Sequence, residues 1–385
     1  MGVSIFYLLA VVPLLVGGYF WYKSHEVVWQ EWLGGSAAGF LTAGIFHVLA
    51  ITGMTGDVET WSGQIDTATF HPEWVERYTV THHHSSGTGK NRRTWTTTET
   101  KYRTHHEHWT AETTVDDTHE ITEAFFREIV NNFGGGTETR KVHKTGFHSG
   151  DPNVYVANNR TGYVYPVTTR RSWENRVKAA PSLFSYTKVP TNVAVHPWPS
   201  NPDWRVSERL VGTASVLFDK REFDLMNSRL GPVKRVNVIM VGWTKEPAEI
   251  SQYQEAAWIG GKKNDLVICF GGMTTSRPAT WSRVFGWTES ELCKRNLASI
   301  MLRPMDANLR LAEIEKEIER NYRLKDWSKF DYITIEPPTW SYFVYIFVLA
   351  GSQVGLYVFF HRNEFSKDKW RRFPRQISMR NWPRL

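Results

Sequence analysis

VSIFYLLAVVPLLVGGYFWY, residues 3–22, is a run of twenty residues without a charge. About twenty consecutive apolar residues are what a helix needs to cross the hydrocarbon core of a bilayer. The run closes on Tyr19, Phe20, Trp21 and Tyr22 followed by Lys23, the aromatic belt and snorkelling cation of a membrane interface. Pro13 breaks the helix ladder, which neighbouring helices in a membrane can repair. The rival reading is a cleaved signal peptide, which calls for a basic segment before the apolar run and a small-x-small site after it. Neither is present.

Two further stretches read the same way. LGGSAAGFLTAGIFHVLAITGMTG, residues 33–56, carries Gly35, Gly39 and Ala43 at four-residue spacing, a small-residue stripe that lets helix backbones approach closely in lipid. It also holds His47, which reads more readily as a neutral group against the adjacent helix than as a functional intramembrane charge. WSYFVYIFVLAGSQVGLYVFF, residues 340–360, follows Pro337-Pro338 and carries Gly351, Gly355 and the polar Gln353. These small-residue faces offer surfaces for packing and for a homo-oligomer.

The +7 formal charge is concentrated at one end. Residues 1–56 hold Lys23 against Glu26 and Glu31, whereas residues 362–385 hold eight cations against Glu364 and Asp368. The middle of the chain is therefore nearly neutral, which argues against nucleic-acid binding by a basic folded face. A cationic segment directly after a span favours the cytoplasmic side. Three spans then place residues 57–336 on the opposite, extracytoplasmic face of an inner (plasma) membrane, with the C-terminus cytoplasmic. Lys367, Lys369, Arg371, Arg372 and Arg375 are candidate contacts to anionic lipid headgroups.

The chain thus divides into a transmembrane helical hairpin (1–56), a β-rich region (57–205), an α/β layer domain with a charged helix (206–336), a third span (337–361) and a basic tail (362–385). The fold class is α+β, three transmembrane helices flanking a soluble region. Thr, Val, Trp and Tyr alternate through residues 56–70, 74–80 and 93–104, with SSGTGKN between two Thr-rich runs as a long hairpin connection. Residues 114–132 are expected to form a helix closed by Gly134-Gly135-Gly136, and residues 148–205 are expected to be irregular. Beyond residue 206 the order is helix (219–230, stopped by Gly231-Pro232), strand (235–243), helix (247–259), strand (266–270), strand (280–286), helix (289–301) and a charged helix (307–324), the alternation of an α/β layer fold. Phe330–Ile335 is expected as an edge strand. Cys269 and Cys293 are too few for a disulfide scaffold and read as one buried strand cysteine and one helix cysteine.

Four motifs carry a resemblance. The strand VNVIMV (236–241), the helix end AAWIGGKKND (256–265), the strand LVICF (266–270) and the strand-turn RVFGWTESEL (283–292) resemble a TPM domain, found in thylakoid-lumen repair proteins and in many membrane-anchored bacterial proteins. TWSG (60–63), KAAPSLF (178–184), GGKKND (260–265) and PPTW (337–340) resemble an uncharacterised family of phage and bacterial membrane proteins of this same layout. The TPM resemblance implies a compact α/β unit and, in some members, phosphatase activity or calcium binding through acidic residues at strand ends. Asp265 would be the acidic residue concerned, with Glu289 and Glu291 after the third strand. The chain lacks a dense acidic cluster there, and Trp287 stands where the family has a glycine-rich turn.

The histidines supply the other candidate chemistry. His82 and His84 end one Thr-rich run; His106 and His108 end the next. Were the runs to pair, four imidazoles from adjacent strands could hold zinc, although a solvated hairpin reads identically. No phosphate-binding loop, no G-x-S-x-G elbow and no H-E-x-x-H motif occurs. Two functional readings follow. The first is a non-enzymatic membrane protein, phage-encoded if the resemblance holds, whose extracytoplasmic domain binds a membrane or envelope protein partner through its many Trp and Tyr residues. The second is a metal-dependent hydrolase of phosphatase type, using zinc or calcium.

Overall fold

A computed structural model describes residues 5–23, 28–86, 93–115, 118–140, 153–180, 187–200, 204 and 208–362. The chain separates into two compact units: residues 1–58, 172–185 and 326–385, and residues 59–171 and 186–325.

The first unit is built on α1 (Ile5–Lys23), α2 (Trp29–Thr55) and α9 (Thr339–Arg362), three helices long and apolar enough to cross a membrane. This is a membrane protein. Its seam is made by Phe6 and Ala10 of α1, Ala43 of α2, and Tyr345 and Leu349 of α9. Polar groups join the helices: Tyr345 Oη donates to Phe6 O at 2.8 Å, Gln353 Nε2 to Gly35 O at 3.0 Å and Trp32 Nε1 to Leu14 O at 2.9 Å. His47 lies against the ring of Tyr7, with centroids 5.5 Å apart.

The small-residue stripe of α2 is used within the chain. A Cβ on Gly39 would meet Ala10 O at 3.5 Å and Leu349 at 3.7 Å, and Ala43 is buried. Gly351 and Gly355 take no part in the packing within the chain: nothing lies within 4 Å of a Cβ on either. The reason is helical phase. α9 faces its neighbours through Tyr345, Leu349 and Gln353, a four-residue stripe, and a residue two positions away points about 200° round the helix. Lys367, Lys369, Arg371, Arg372 and Arg375 lie outside the described residues.

The same unit includes a collar at the end of α2. Asn175 N donates to Thr55 O and Asn175 Nδ2 to Asp57 Oδ2, while Glu336 N donates to Ala179 O and Arg176 Nη1 to Asp331 O. The expected edge strand at 330–335 is instead a 3-10 turn, Trp327–Phe330, opened by the Asp326 carboxylate accepting from Ser328 N.

The second unit contains two sheets and a hairpin. The first sheet has the order β5 (Thr118–Ile121), β4 (His108–Thr113), β1 (Gly56–His71), β7 (Asn153–Ala157), β6 (Gly136–Arg140), with β8 (Pro166–Glu174) also beside β1. The helix expected at 114–132 is shorter, α3 (Glu123–Phe133), because Thr122 caps it by accepting from Phe125 N and the preceding residues pair as β5. Gly134 ends it in the left-handed conformation at φ 80°, where glycine bears no Cβ penalty. Phe125, Phe126, Ile129 and Phe133 pack onto Ile65, Ala68 and Ala111 of the sheet. Strands β7 and β8 occupy part of a stretch expected to be irregular.

The second sheet runs β12 (Trp281–Gly286), β11 (Asp265–Gly271), β10 (Asn237–Trp243), β9 (Leu210–Gly212), with β9, β10 and β11 parallel and β12 antiparallel. Between β9 and β10 come α4 (Ala214–Leu217) and α5 (Lys220–Lys234); α6 (Ile250–Ala257) connects β10 to β11. Alternation sorts the strands into two cores. Val238, Met240, Leu266 and Ile268 face α5, α7 (Glu291–Leu302) and α8 (Ala307–Asn321), whereas Ile239, Val241, Val267 and Cys269 face α6. Parallel strands covered on both faces read as continuous apolar runs, as these do. Both cysteines are buried and free, Cys269 in β11 and Cys293 in α7.

Gly231-Pro232 does not stop α5, which continues to Lys234 and closes on Arg235 at φ 52°. Gly231 serves a different purpose: a Cβ there would lie 1.7 Å from Ser62 O of β1. Replacing a helical glycine by alanine ordinarily gains up to about 1 kcal/mol. Here Gly231→Ala is expected to lower stability, by about 1–3 kcal/mol as overpacked sites do. Thermal melting of the purified protein reads the sign, and a raised midpoint would contradict the close approach.

Candidate functional site

Two places concentrate the titratable residues of the second unit. One is buried. Asp265 opens β11 with 1% exposure, where its carboxylate accepts from Asn237 Nδ2 at 2.6 Å and from Lys262 N at 2.7 Å. The neighbouring Asn264 donates to Thr60 O and Arg235 O. Arg209, just before β9 and also 1% exposed, donates to Ser62 Oγ at 2.8 Å and Thr168 Oγ1 at 3.0 Å. Asp224 of α5 receives Lys220 Nζ at 2.8 Å, and Lys263 lies 3.2 Å from Glu59.

Burial dominates the electrostatics. It pushes Asp265 up to about 6, against the opposing pull of Asn237, Lys262 and Arg209. It raises Asp224 and pulls Arg209 down to about 10, the latter against the attraction of Asp224 and Asp265. Asp265 is therefore committed to internal donors on both carboxylate oxygens. A calcium or magnesium site needs several oxygens free to converge, and those of Asp265 already accept hydrogen bonds. Glu291 lies at the start of α7, where Lys294 Nζ approaches it at 2.6 Å, on the helix's own surface. Among the described residues, no group of three or more His, Cys, Asp or Glu side chains could hold a metal ion.

The other place is exposed. β2 (Trp74–Ser86) and β3 (Arg93–His105) form a two-stranded antiparallel sheet, as the paired Thr-rich runs anticipated. The pairing sets the histidines apart. His82 lies opposite Thr97 and His84 opposite Trp95, whereas His105 lies opposite Trp74. His105 is therefore level with a position eight residues along β2 from His82, a span of about 26 Å at ~3.3 Å per residue, and His106 sits past that base of the hairpin. His82 Nε2 contacts Glu99 at 3.3 Å and His84 Nε2 contacts Thr97 at 2.7 Å. His106 Nδ1 contacts Glu73 at 3.2 Å, and His108 stacks on His71 with centroids 4.4 Å apart. The four imidazoles named from sequence do not converge, because antiparallel pairing brings the end of one run to the beginning of the next.

Neither Arg209 nor Asp224 was marked by the sequence. β9 is only three residues long and carries no readable periodicity, and Asp224 looks like any polar residue of an amphipathic helix. The only signal for Arg209 was its position before the apolar pair Leu210-Val211.

No family model, no curated protein and no solved structure matches this chain. The likeness to TPM domains thus stands on its short motifs alone.

The raised Asp265 pKa has a stability consequence. The unfolded chain releases this proton near the ordinary aspartate value of 3.8, the folded chain near 6. Between those values the fold holds the extra proton, so this group's contribution falls as pH rises through the interval. The change is on the order of 2–3 kcal/mol for a shift of this size. Asp265→Asn removes it, so the melting-temperature difference between variant and parent should move in the variant's favour from pH 4 to 6.5. A difference that stays flat over that range would count against burial as the controlling influence.

Proposed function

We propose that this chain is a non-enzymatic membrane protein that presents an extracytoplasmic domain to a protein partner at the cell envelope. The observation that carries the reading is the β2–β3 hairpin, a long exposed ribbon on a membrane-anchored chain. Its strands are thirteen residues each, and Trp95, Tyr102 and Val75 on it are 49–67% exposed. Exposed aromatics of this kind are enriched at protein interfaces. The burial of Asp265 and the separation of His82 and His84 from His106 and His108 favour binding over metal-dependent hydrolysis, the second reading. The orientation rests on the basic tail. A phage origin and a TPM-type domain rest on motif resemblance only.

Two measurements test this. A single cysteine at Thr98, labelled in intact cells by a membrane-impermeant maleimide, should react, and labelling only after lysis would reverse the orientation. The full chain in detergent should not hydrolyse p-nitrophenyl phosphate when supplied with zinc, calcium or magnesium. Turnover that needs the metal and is lost in Asp265→Ala or His106→Ala would replace the binding reading with the hydrolase.

A further inference from the structure

From the hairpin we infer that its β3 edge pairs with the β3 edge of a second copy of this chain, in one antiparallel register centred on Thr100. The inference rests on the binding reading and names the partner of that surface.

The starting point is stability. His71 pairs with His108 and Trp74 with His105, so the β1–β4 ladder continues through Pro72–Glu73 in unbroken register to become β2–β3. Past that point the ribbon has only two strands among the described residues. An isolated two-stranded ribbon is marginal in water, and three or more strands are needed for independent stability. Joining two hairpins edge to edge yields four.

The charges of β3 select both the partner and the register. Its sequence is RTWTTTETKYRTH, residues 93–105. When two copies pair about a dyad perpendicular to the sheet, odd-numbered residues must oppose odd-numbered ones, since directly opposed side chains share a face. With Thr100 on the dyad, Glu99 of each copy lies opposite Lys101 of the other, and Trp95 opposite His105. A shift of one permitted step sets Glu99 against Glu99 or Lys101 against Lys101, and like charges directly opposite are destabilising. Glu99 and Lys101 are both about half exposed, and no described strand pairs with the outer edge of β3. The β2 edge has no equivalent, because Glu76 and Arg77 fall on opposite faces.

The test uses the full chain in its membrane. Cys269 and Cys293 are buried, so an added surface cysteine reports alone. Directly opposed residues of an antiparallel pair have Cα atoms about 4.5–5.5 Å apart, within disulfide reach. Thr100→Cys should form covalent dimers under mild oxidation. Thr96→Cys should not, but should cross-link to Thr104→Cys on a co-expressed copy. Adding Glu99→Lys or Lys101→Glu to Thr100→Cys should reduce dimer by about tenfold, two opposed pairs having turned repulsive. The double exchange Glu99→Lys with Lys101→Glu should restore it. Failure of Thr100→Cys to dimerise, or cross-linking at Thr96 equal to that at Thr100, overturns the inference. Cross-linking of Thr100→Cys to a different protein overturns it as well, yet leaves the binding reading standing. Metal-dependent phosphatase turnover would remove that reading whatever the cross-links show.

Discussion

A guanidinium cannot be left alone in a protein interior, and the second unit is organised around one. Arg209 is held by hydroxyls on β1 and β8, and feels the carboxylates of Asp224 on α5 and Asp265 on β11. Its own carbonyl receives Met240 N of β10 at 2.9 Å. One side chain thereby ties the antiparallel sheet to the α/β layers. Removing one partner of a buried ionic group is far costlier than its net contribution suggests, since the other charge stays buried and unmatched. Asp265 fits the same logic. Its buried carboxylate is tolerable because Asn237, Lys262 and Arg209 surround it.

The packing between β1 and α5 follows from the same meeting of layers. The Ser62 hydroxyl accepts from Arg209 Nη1 while the Ser62 carbonyl fills the space where a side chain at position 231 would stand. Gln64 Nε2 donates to Ser228 Oγ one turn earlier on α5. A strand and a helix that close cannot tolerate a Cβ between them, so a glycine that reads as a helix stop is instead a contact point inside the helix.

This bears on what the sequence could reveal. The three spans were legible because a long uncharged run has no other stable home. The strands 237–243 and 265–271 and the helices around them were legible because burial on both faces leaves an apolar run between amphipathic ones. Composition identifies Gly351 and Gly355 as small residues, but only helical phase says that they point away from the seam within the chain. β9, Arg209 and the sheet order depend on contacts far apart along the chain, which leave no local pattern. The hairpin was legible as a pairing, yet the antiparallel direction that separates His82 from His106 had to be followed residue by residue.

The composition of the hairpin itself is informative. A long free strand edge is an aggregation hazard, usually managed with charges, proline, bulges or a covering element. β3 has no proline among its thirteen residues, and no described strand covers its outer edge. It relies on threonine, which favours strands without adding a large apolar surface, and on four charged side chains, Arg93, Glu99, Lys101 and Arg103. Charges that merely kept other strands away could be of one sign. Glu99 between threonines, two residues before Lys101, breaks that pattern and makes repulsion depend on register. An edge built this way rejects most partners while leaving open one alignment with its own copy.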